Sequence, residues 1–251
     1  MKIVVIGGTG LIGSKVVQKL AAQGHEAVAA APNTGVNTLS GEGLAEVLKN
    51  ASAVVDVSNS PSFEERAVME FFQTSTRNLL SYEVKAGVRH HVALSVVGTE
   101  RLQDSPYMRA KIVQERLIKD SGTPYSIVHA TQFFEFMKSI ADAATAGNQV
   151  RLPDAFIQPI AAEDVADAVA KVAVGTPLNG MVEVAGPQRF SFAQFIRQGL
   201  SARNDPREVV VDSEARYFGA KLGELSLVAS DDAHIGGIRY EDWLSPAMSP
   251  K

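Results

Sequence analysis

The stretch Lys2-Ile3-Val4-Val5-Ile6-Gly7-Gly8-Thr9-Gly10-Leu11-Ile12-Gly13 decides how the rest of the chain reads. Four β-branched apolar residues in a row, closed by glycine, form a strand over Lys2 to Ile6. Gly7, Gly10 and Gly13 follow at three-residue spacing and open a helix. Gly7 permits the tight turn out of the strand, Gly10 lets the main chain approach a pyrophosphate, and Gly13 allows close helix–sheet contact. The helix N-terminus then offers N–H groups and the positive end of its dipole to phosphates. The strand before the glycines and the helix after them give the spacing its meaning. No Lys-Ser/Thr pair follows, which excludes a nucleotide-triphosphatase loop. Gly7, Thr9, Gly10, Leu11, Ile12 and Gly13 are therefore the first candidate contacts to a dinucleotide.

Working outward, short β-branched runs alternate with amphipathic stretches, the pattern of repeated βαβ units and a parallel sheet. The helix after the glycines runs from about Leu11 to Gln23, because Ile12, Val16 and Leu20 recur four apart and Gly24 supplies a stop. A second strand covers Glu26 to Ala30. Pro32 to Leu44 holds three glycines and no clear helix, so this region is predicted as a loop with a short strand near Val36 to Leu39. Further strands are predicted at Ala53–Val57, His91–Ser95 and Tyr125–His129. The helices between and after them are Phe63–Ala86, Ser105–Ser121 and Gln132–Ala146. Shorter units follow: strands near Phe156–Ile160 and Met181–Ala185, helices at Glu163–Val174 and Phe192–Ala202. The fold class is α/β, a Rossmann-type doubly wound parallel sheet. One domain spans 1–251, with residues from about 150 contributing a small C-terminal substrate lobe over the active site.

Composition limits the partners. The chain of 251 residues is 45% hydrophobic, enough for one large α/β domain, and carries 24 basic against 28 acidic residues, interspersed. No basic face emerges to neutralise a phosphate backbone, so no nucleic-acid partner is expected. The absence of cysteine removes thiolate metal sites, disulfides and cysteine nucleophiles. Met1-Lys2 leads directly into the first strand. Neither a signal peptide's apolar core nor a run of about 20 apolar residues occurs, so a cytoplasmic protein without membrane contact is predicted.

Which dinucleotide binds turns on the end of the second strand. An NAD site usually places Asp or Glu there to take the ribose hydroxyls. This chain has Ala30-Ala31-Pro32-Asn33-Thr34 instead. Without the carboxylate a 2′-phosphate meets no repulsion, and Asn33 and Thr34 supply donors, so NADP(H) is favoured over NAD(H). Ser58 and Asn59, just past the strand Ala53–Val57, join Asn33 in the cofactor set.

Taken in order, these residues resemble the short-chain dehydrogenase/reductase superfamily in its atypical branch, with NmrA-like members. The resemblance runs from Lys2 to about Pro187. It is anchored by the glycine loop, Asn78-Leu79-Leu80, Gly87-Val88 before a strand ending at Ser95, Tyr107-x-x-x-Lys111, the Phe133 segment, and Pro159-Ile160 before Glu163-Asp164-Val165-Ala166. It implies hydride transfer between a nicotinamide and a carbonyl or alcohol, with Tyr107 as proton donor, Lys111 lowering its pKa and holding the nicotinamide ribose, and Ser95 polarising the substrate oxygen. Four residues apart on a helix, Tyr107 and Lys111 share a face. Only 12 positions separate Ser95 from Tyr107, fewer than in active members. Tyr107 also follows Ser105-Pro106, and the plainer reading makes it a solvent-facing aromatic at the helix start, with Lys111 a ribose contact. At His129-Ala130 the family often has Arg-Pro. The following Thr131, Gln132 and Phe133 are expected beside the ring, and His129 as a satisfied strand residue.

Other clusters read as structural. Arg89-His90-His91 enter a strand on alternating faces without a third ligand at useful spacing, so no metal is expected. Asp231-Asp232 with His234 reads as a solvated turn, and Phe133-Phe134-x-Phe136 and Trp243 as packing. The expected activity is NADP(H)-dependent reduction of a small carbonyl or quinone. The alternative, from another class, is an NmrA-like regulator that senses NADP(H) without catalysis. A homodimer through the long helix at Phe63–Ala86 and the helix from Ser105 is also compatible with the sequence.

Overall fold

The computed structural model describes residues 1–245. The last residues of the expected C-terminal lobe, 246–251, lie outside the described residues. The elements run β1 (Lys2–Ile6), α1 (Leu11–Ala22), β2 (Glu26–Ala30), α2 (Leu44–Leu48), β3 (Ala53–Asp56), α3 (Glu65–Ala86), β4 (His91–Val96), α4 (Pro106–Lys119) and β5 (Tyr125–Ala130). They continue with α5 (Met137–Ala143), β6 (Thr145–Ala146), β7 (Gln149–Leu152), β8 (Phe156–Ile157), α6 (Ala162–Val174) and β9 (Gly180–Ala185). The described part closes with β10 (Phe190–Ser191), α7 (Phe192–Ser201), β11 (Glu208–Val211), β12 (His234–Ile235) and α8 (Tyr240–Leu244).

Seven strands form the central parallel sheet of a Rossmann-type fold, in the order β12-β9-β5-β4-β3-β1-β2. Strand β1 pairs in parallel with β2 on one side and β3 on the other, with Ile6 opposite Ala30 and Asp56. Ile3, Val4 and Val5 are fully buried, which is why this strand reads as an unbroken apolar run rather than an alternating one. After β2 the chain crosses to β3 on the far side of β1. The loops after β1 and β3 thus lie at the point where strand order reverses, where ligands of open α/β sheets gather.

Two expectations change. Pro32 to Leu44 does not add a strand. A 3₁₀ turn (Pro32–Thr34) leads to a single bridge between Asn37 and Glu42, and then to α2. The Asn78 side chain donates to the carbonyls of Thr38 and Leu39 at 2.9 Å each, supplying partners a strand neighbour would otherwise provide. In α2, Leu44 and Leu48 are buried against Val4, Ile6, Val54 and Leu79. The helix predicted from Gln132 instead begins at Met137. Ile160 donates to the Gln132 carbonyl and accepts from the Phe134 amide, both at 2.9 Å, which holds that segment extended.

By compactness the described residues fall into two units. The first comprises Met1–Ser95, Pro106–His129 and Val165–Val182, and the second Val96–Ser105, Ala130–Asp164 and the chain from Glu183. Each unit therefore draws on several separate stretches of the chain. The second unit contains two small sheets, β10-β8 and β11-β7-β6. It also contains an aromatic core in which Phe134 packs on Tyr240 and Trp243 at 4.9 and 5.6 Å.

Candidate functional site

The glycine loop is built tight inward and open outward. Gly7 has φ +76°, and a Cβ on it would stand 2.9 Å from the backbone of Ser58, so the loops after β1 and β3 touch there. Both Gly7 and Gly8 donate to the Ala30 carbonyl, at 2.9 and 3.3 Å. A Cβ on Gly13 would be 2.1 Å from the Gly7 carbonyl oxygen. At Gly10 the same construction meets only that oxygen, at 3.3 Å. The first backbone bond of α1 runs from Ser14 to Gly10, at 3.0 Å, so the amides of Leu11, Ile12 and Gly13 precede the helical ladder. No acidic residue stands in the first turn of α1 to repel an anion. An uncrowded Gly10 beside leading amides is what a pyrophosphate requires.

Next to this loop, the Thr9 hydroxyl donates to Asn33 Oδ1 at 3.1 Å. The side-chain oxygen of Asn33 is thus occupied, and its two N–H donors remain for an anion. Thr34 does not serve as the second donor expected from the sequence. Its hydroxyl closes the 3₁₀ turn, accepting from the Ala31 amide at 2.9 Å and donating to the Ala31 carbonyl at 3.0 Å. Ser58 donates through N and Oγ to Asp56 Oδ1, at 3.0 and 2.6 Å. Asn59 Oδ1 accepts from the Ser60 amide at 3.0 Å.

Helix α4 carries Tyr107, Lys111 and Glu115 at i, i+4 and i+8, one stripe on one face. The Lys111 ammonium is fully enclosed. It donates to the Leu94 carbonyl at 2.9 Å and to Gln114 Oε1, and lies 4.5 Å from the centre of the Phe72 ring. Gln114 in turn donates to Asp56 Oδ2 at 3.0 Å. A polar chain therefore joins Ser58, Asp56, Gln114 and Lys111. Burial pulls the lysine down to about 8, with Asp56 and Glu115 pulling the other way.

Tyr107 is half-buried rather than turned out to solvent. Its ring packs 5.8 Å from Phe72 and 5.7 Å from Phe63, and burial raises its hydroxyl well above the ordinary tyrosine value. Burial is the cause of that shift, with no lowering by Lys111, and the ammonium gives its hydrogen bonds to Leu94 and Gln114. Ser95 is buried at the end of β4 and donates to Glu115 Oε1 at 2.6 Å. His129 Nε2 stands 2.9 Å from the same oxygen, without the alignment of a hydrogen bond. Burial alone would raise the Glu115 carboxyl. The His129 contact, the Ser95 bond and the Lys119 charge outweigh it and hold the group below the usual range. Glu115, Gln114 and Asp56 escaped the sequence reading. The signal for Glu115 was its place four residues beyond Lys111.

The remaining sequence candidates lie in the second unit. Thr131 donates its amide to the Val184 carbonyl at 3.0 Å. The Thr131 hydroxyl and both polar atoms of the Gln132 amide are buried without a hydrogen-bond partner among the described residues. Phe133 stacks on Phe136 at 5.2 Å. The histidine pair is accounted for separately. His90 bonds Ser126 at 2.8 Å, and His91 bonds Glu83 at 2.8 Å with both side chains fully enclosed.

Residues 7–174 match the profile of the NAD(P)H-binding family. The chain belongs to this family. Among curated proteins it is similar to the Photosystem II assembly factor Ycf39 of Synechocystis sp., with 26% identity over 149 residues, 54% of this chain and 46% of that protein. The chain thus spans about half the length of the curated relatives it matches. Among solved structures it is similar to MoeE5 in complex with UDP-glucose and NAD (TM-score 0.70, 19% identity, 87% of each chain). A dTDP-4-dehydrorhamnose reductase from Bacillus anthracis in complex with NADP is also similar (TM-score 0.67, 14% identity, covering 95% of this chain and 90% of that one). The structural likenesses bear out the Rossmann-type fold, and the family match bears out a nicotinamide-dinucleotide-binding chain. Among the described residues no helix is long and apolar enough to cross a membrane.

Proposed function

We propose that the chain is a cytoplasmic NADP(H)-dependent reductase of small carbonyl or quinone substrates. The observation that carries this reading is the enclosed Lys111. A lysine buried at this cost, four residues after Tyr107 and in the same unit as the glycine loop, is the kind of perturbed group that functional sites retain. The loop amides of Leu11 to Gly13 hold the pyrophosphate, and Asn33 donates to the 2′-phosphate. A bound nicotinamide supplies hydride. Tyr107, whose proton is held tightly by burial, serves as acid rather than base and gives that proton to the substrate oxygen. Tyr107→Phe is expected to lower NADPH oxidation across a carbonyl and quinone panel by about a hundredfold or more. Unchanged turnover would remove Tyr107 from this role. Asn33→Asp is expected to move the ratio of NADPH to NADH affinity at least about tenfold toward NADH in fluorescence titrations, because the new carboxylate repels the 2′-phosphate and takes ribose hydroxyls.

The second reading, an NADP(H)-sensing regulator without turnover, is favoured by one feature. The Ser95 proton is committed to Glu115 and Lys111 is not turned to Tyr107, so the triad is not assembled in the form the resemblance implies. Relatives named as assembly factors lend it weight. Tight, redox-selective binding of NADPH with no oxidation on any panel compound would decide for the sensor.

A further inference from the structure

A serine hydroxyl has one proton to give and two lone pairs to receive with. In this fold the Ser95 proton goes to Glu115 Oε1 at 2.6 Å, the short distance of a charge-assisted bond, while His129 presses on the same oxygen at 2.9 Å. All three side chains are buried. The groups facing the Glu115 carboxylate are Ser95 from β4, His129 from β5, Lys119 at 3.5 Å on its own helix, and the charge of Lys111 one turn back. Of these, His129, Ser95 and Lys119 hold the carboxyl below its usual range and so favour the carboxylate. An ionised carboxylate only accepts, so Ser95 can turn only lone pairs toward a ligand.

We propose that Glu115 is a positioning residue that fixes Ser95 as a hydrogen-bond acceptor, so that the preferred substrate carries a hydroxyl or N–H donor next to its reducible carbonyl. This rests on the reading that Ser95 and Tyr107 meet one substrate. Tyr107 then supplies the only proton to the carbonyl oxygen, and the neighbouring hydroxyl of the substrate donates to Ser95. A plain ketone leaves the buried Ser95 lone pairs without a donor, a loss that costs a site built around a hydroxyl heavily. Because Ser95 neither gains nor loses a proton, the reaction balance is that of ordinary reduction: hydride to carbon from the reduced nicotinamide, proton to oxygen from Tyr107.

The test pairs substrates that differ by one hydroxyl: 2-hydroxyacetophenone against acetophenone, and 3-hydroxybutan-2-one against butan-2-one, each with NADPH. The full-length protein is expected to prefer the hydroxylated member at least tenfold in kcat/KM. Glu115→Gln, which can donate an amide N–H to Ser95 and release its hydroxyl, is expected to erase or invert the preference. A second readout needs no turnover. Titration of the Glu115 carboxyl by carbon NMR should show Ser95→Ala raising its proton affinity at least threefold. A Ser95→Ala protein with an unmoved Glu115 titration, or a Glu115→Gln enzyme that keeps the hydroxyl preference, overturns the proposal. Should neither pair be reduced while NADPH binds, the reductase reading falls, and the Glu115 titration alone decides the polarity of Ser95.

Discussion

Gly13→Ala is expected to damage both stability and cofactor binding, whereas Gly10→Ala is expected to damage binding alone. At position 13 the added methyl would lie 2.1 Å from the Gly7 carbonyl oxygen and 2.7 Å from Gly8 Cα. Both are backbone atoms, and the Gly7 and Gly8 amides are themselves tied to Ala30. The loop cannot yield without breaking those bonds, so overpacking of about 2–3 kcal/mol is expected, a fall in Tm of roughly 5–8 °C for a chain of this size. The displaced amides of α1 would also lose their aim, with at least about a hundredfold loss of NADPH affinity, equivalent to roughly 3 kcal/mol. Position 10 differs because the methyl meets only one atom, at 3.3 Å. Its stability is expected within about 0.5 kcal/mol of the parent, yet the methyl fills the side a phosphate approaches, and affinity is expected to drop at least about tenfold. Differential scanning calorimetry and NADPH titration on the two variants check this contrast. A Gly10→Ala protein that binds NADPH like the parent would show that the pyrophosphate does not sit on this loop.

That contrast also marks what could be read from residues alone. The strand at Lys2–Ile6 and the glycine loop were legible because an apolar run, a fixed glycine spacing and a helical period all pointed the same way. Helix α2 was not, since five residues with a single Leu44–Leu48 repeat give no period to detect. The strands of the second unit, two to four residues each, fall below the same threshold. At the site, Tyr107 and Lys111 were findable as a spaced pair, but the direction of their polar groups was not. The Lys111 ammonium is claimed by a main-chain carbonyl of β4 and by Gln114, and Ser95 by a carboxylate that β5 helps to charge through His129. Such competition between acceptors is decided by strands far apart in sequence, so no local pattern announces it.

The same enclosure of Lys111 predicts an unusual pH dependence of stability. In the unfolded chain this lysine titrates at its ordinary value near 10.5, and in the folded protein at about 8. Below pH 8 both states carry the proton, and the folded state bears the full cost of a buried cation. Between pH 8 and 10.5 the unfolded chain holds more protons than the folded one, so stability contributed by this residue rises with pH across that window. At about 1.4 kcal/mol per pH unit the rise amounts to roughly 3 kcal/mol. Lys111→Met keeps the apolar stem against Phe72 and removes the titrating group. Relative to that variant, the parent is expected to gain about 3 kcal/mol between pH 7.5 and 10.5 in urea unfolding, with most of the gain above pH 8. Taking the difference between the two proteins cancels every other group that titrates in that range. A flat difference would mean that Lys111 keeps an ordinary proton affinity, and would remove the argument that an energetically costly cation is held beside Tyr107 for the sake of chemistry.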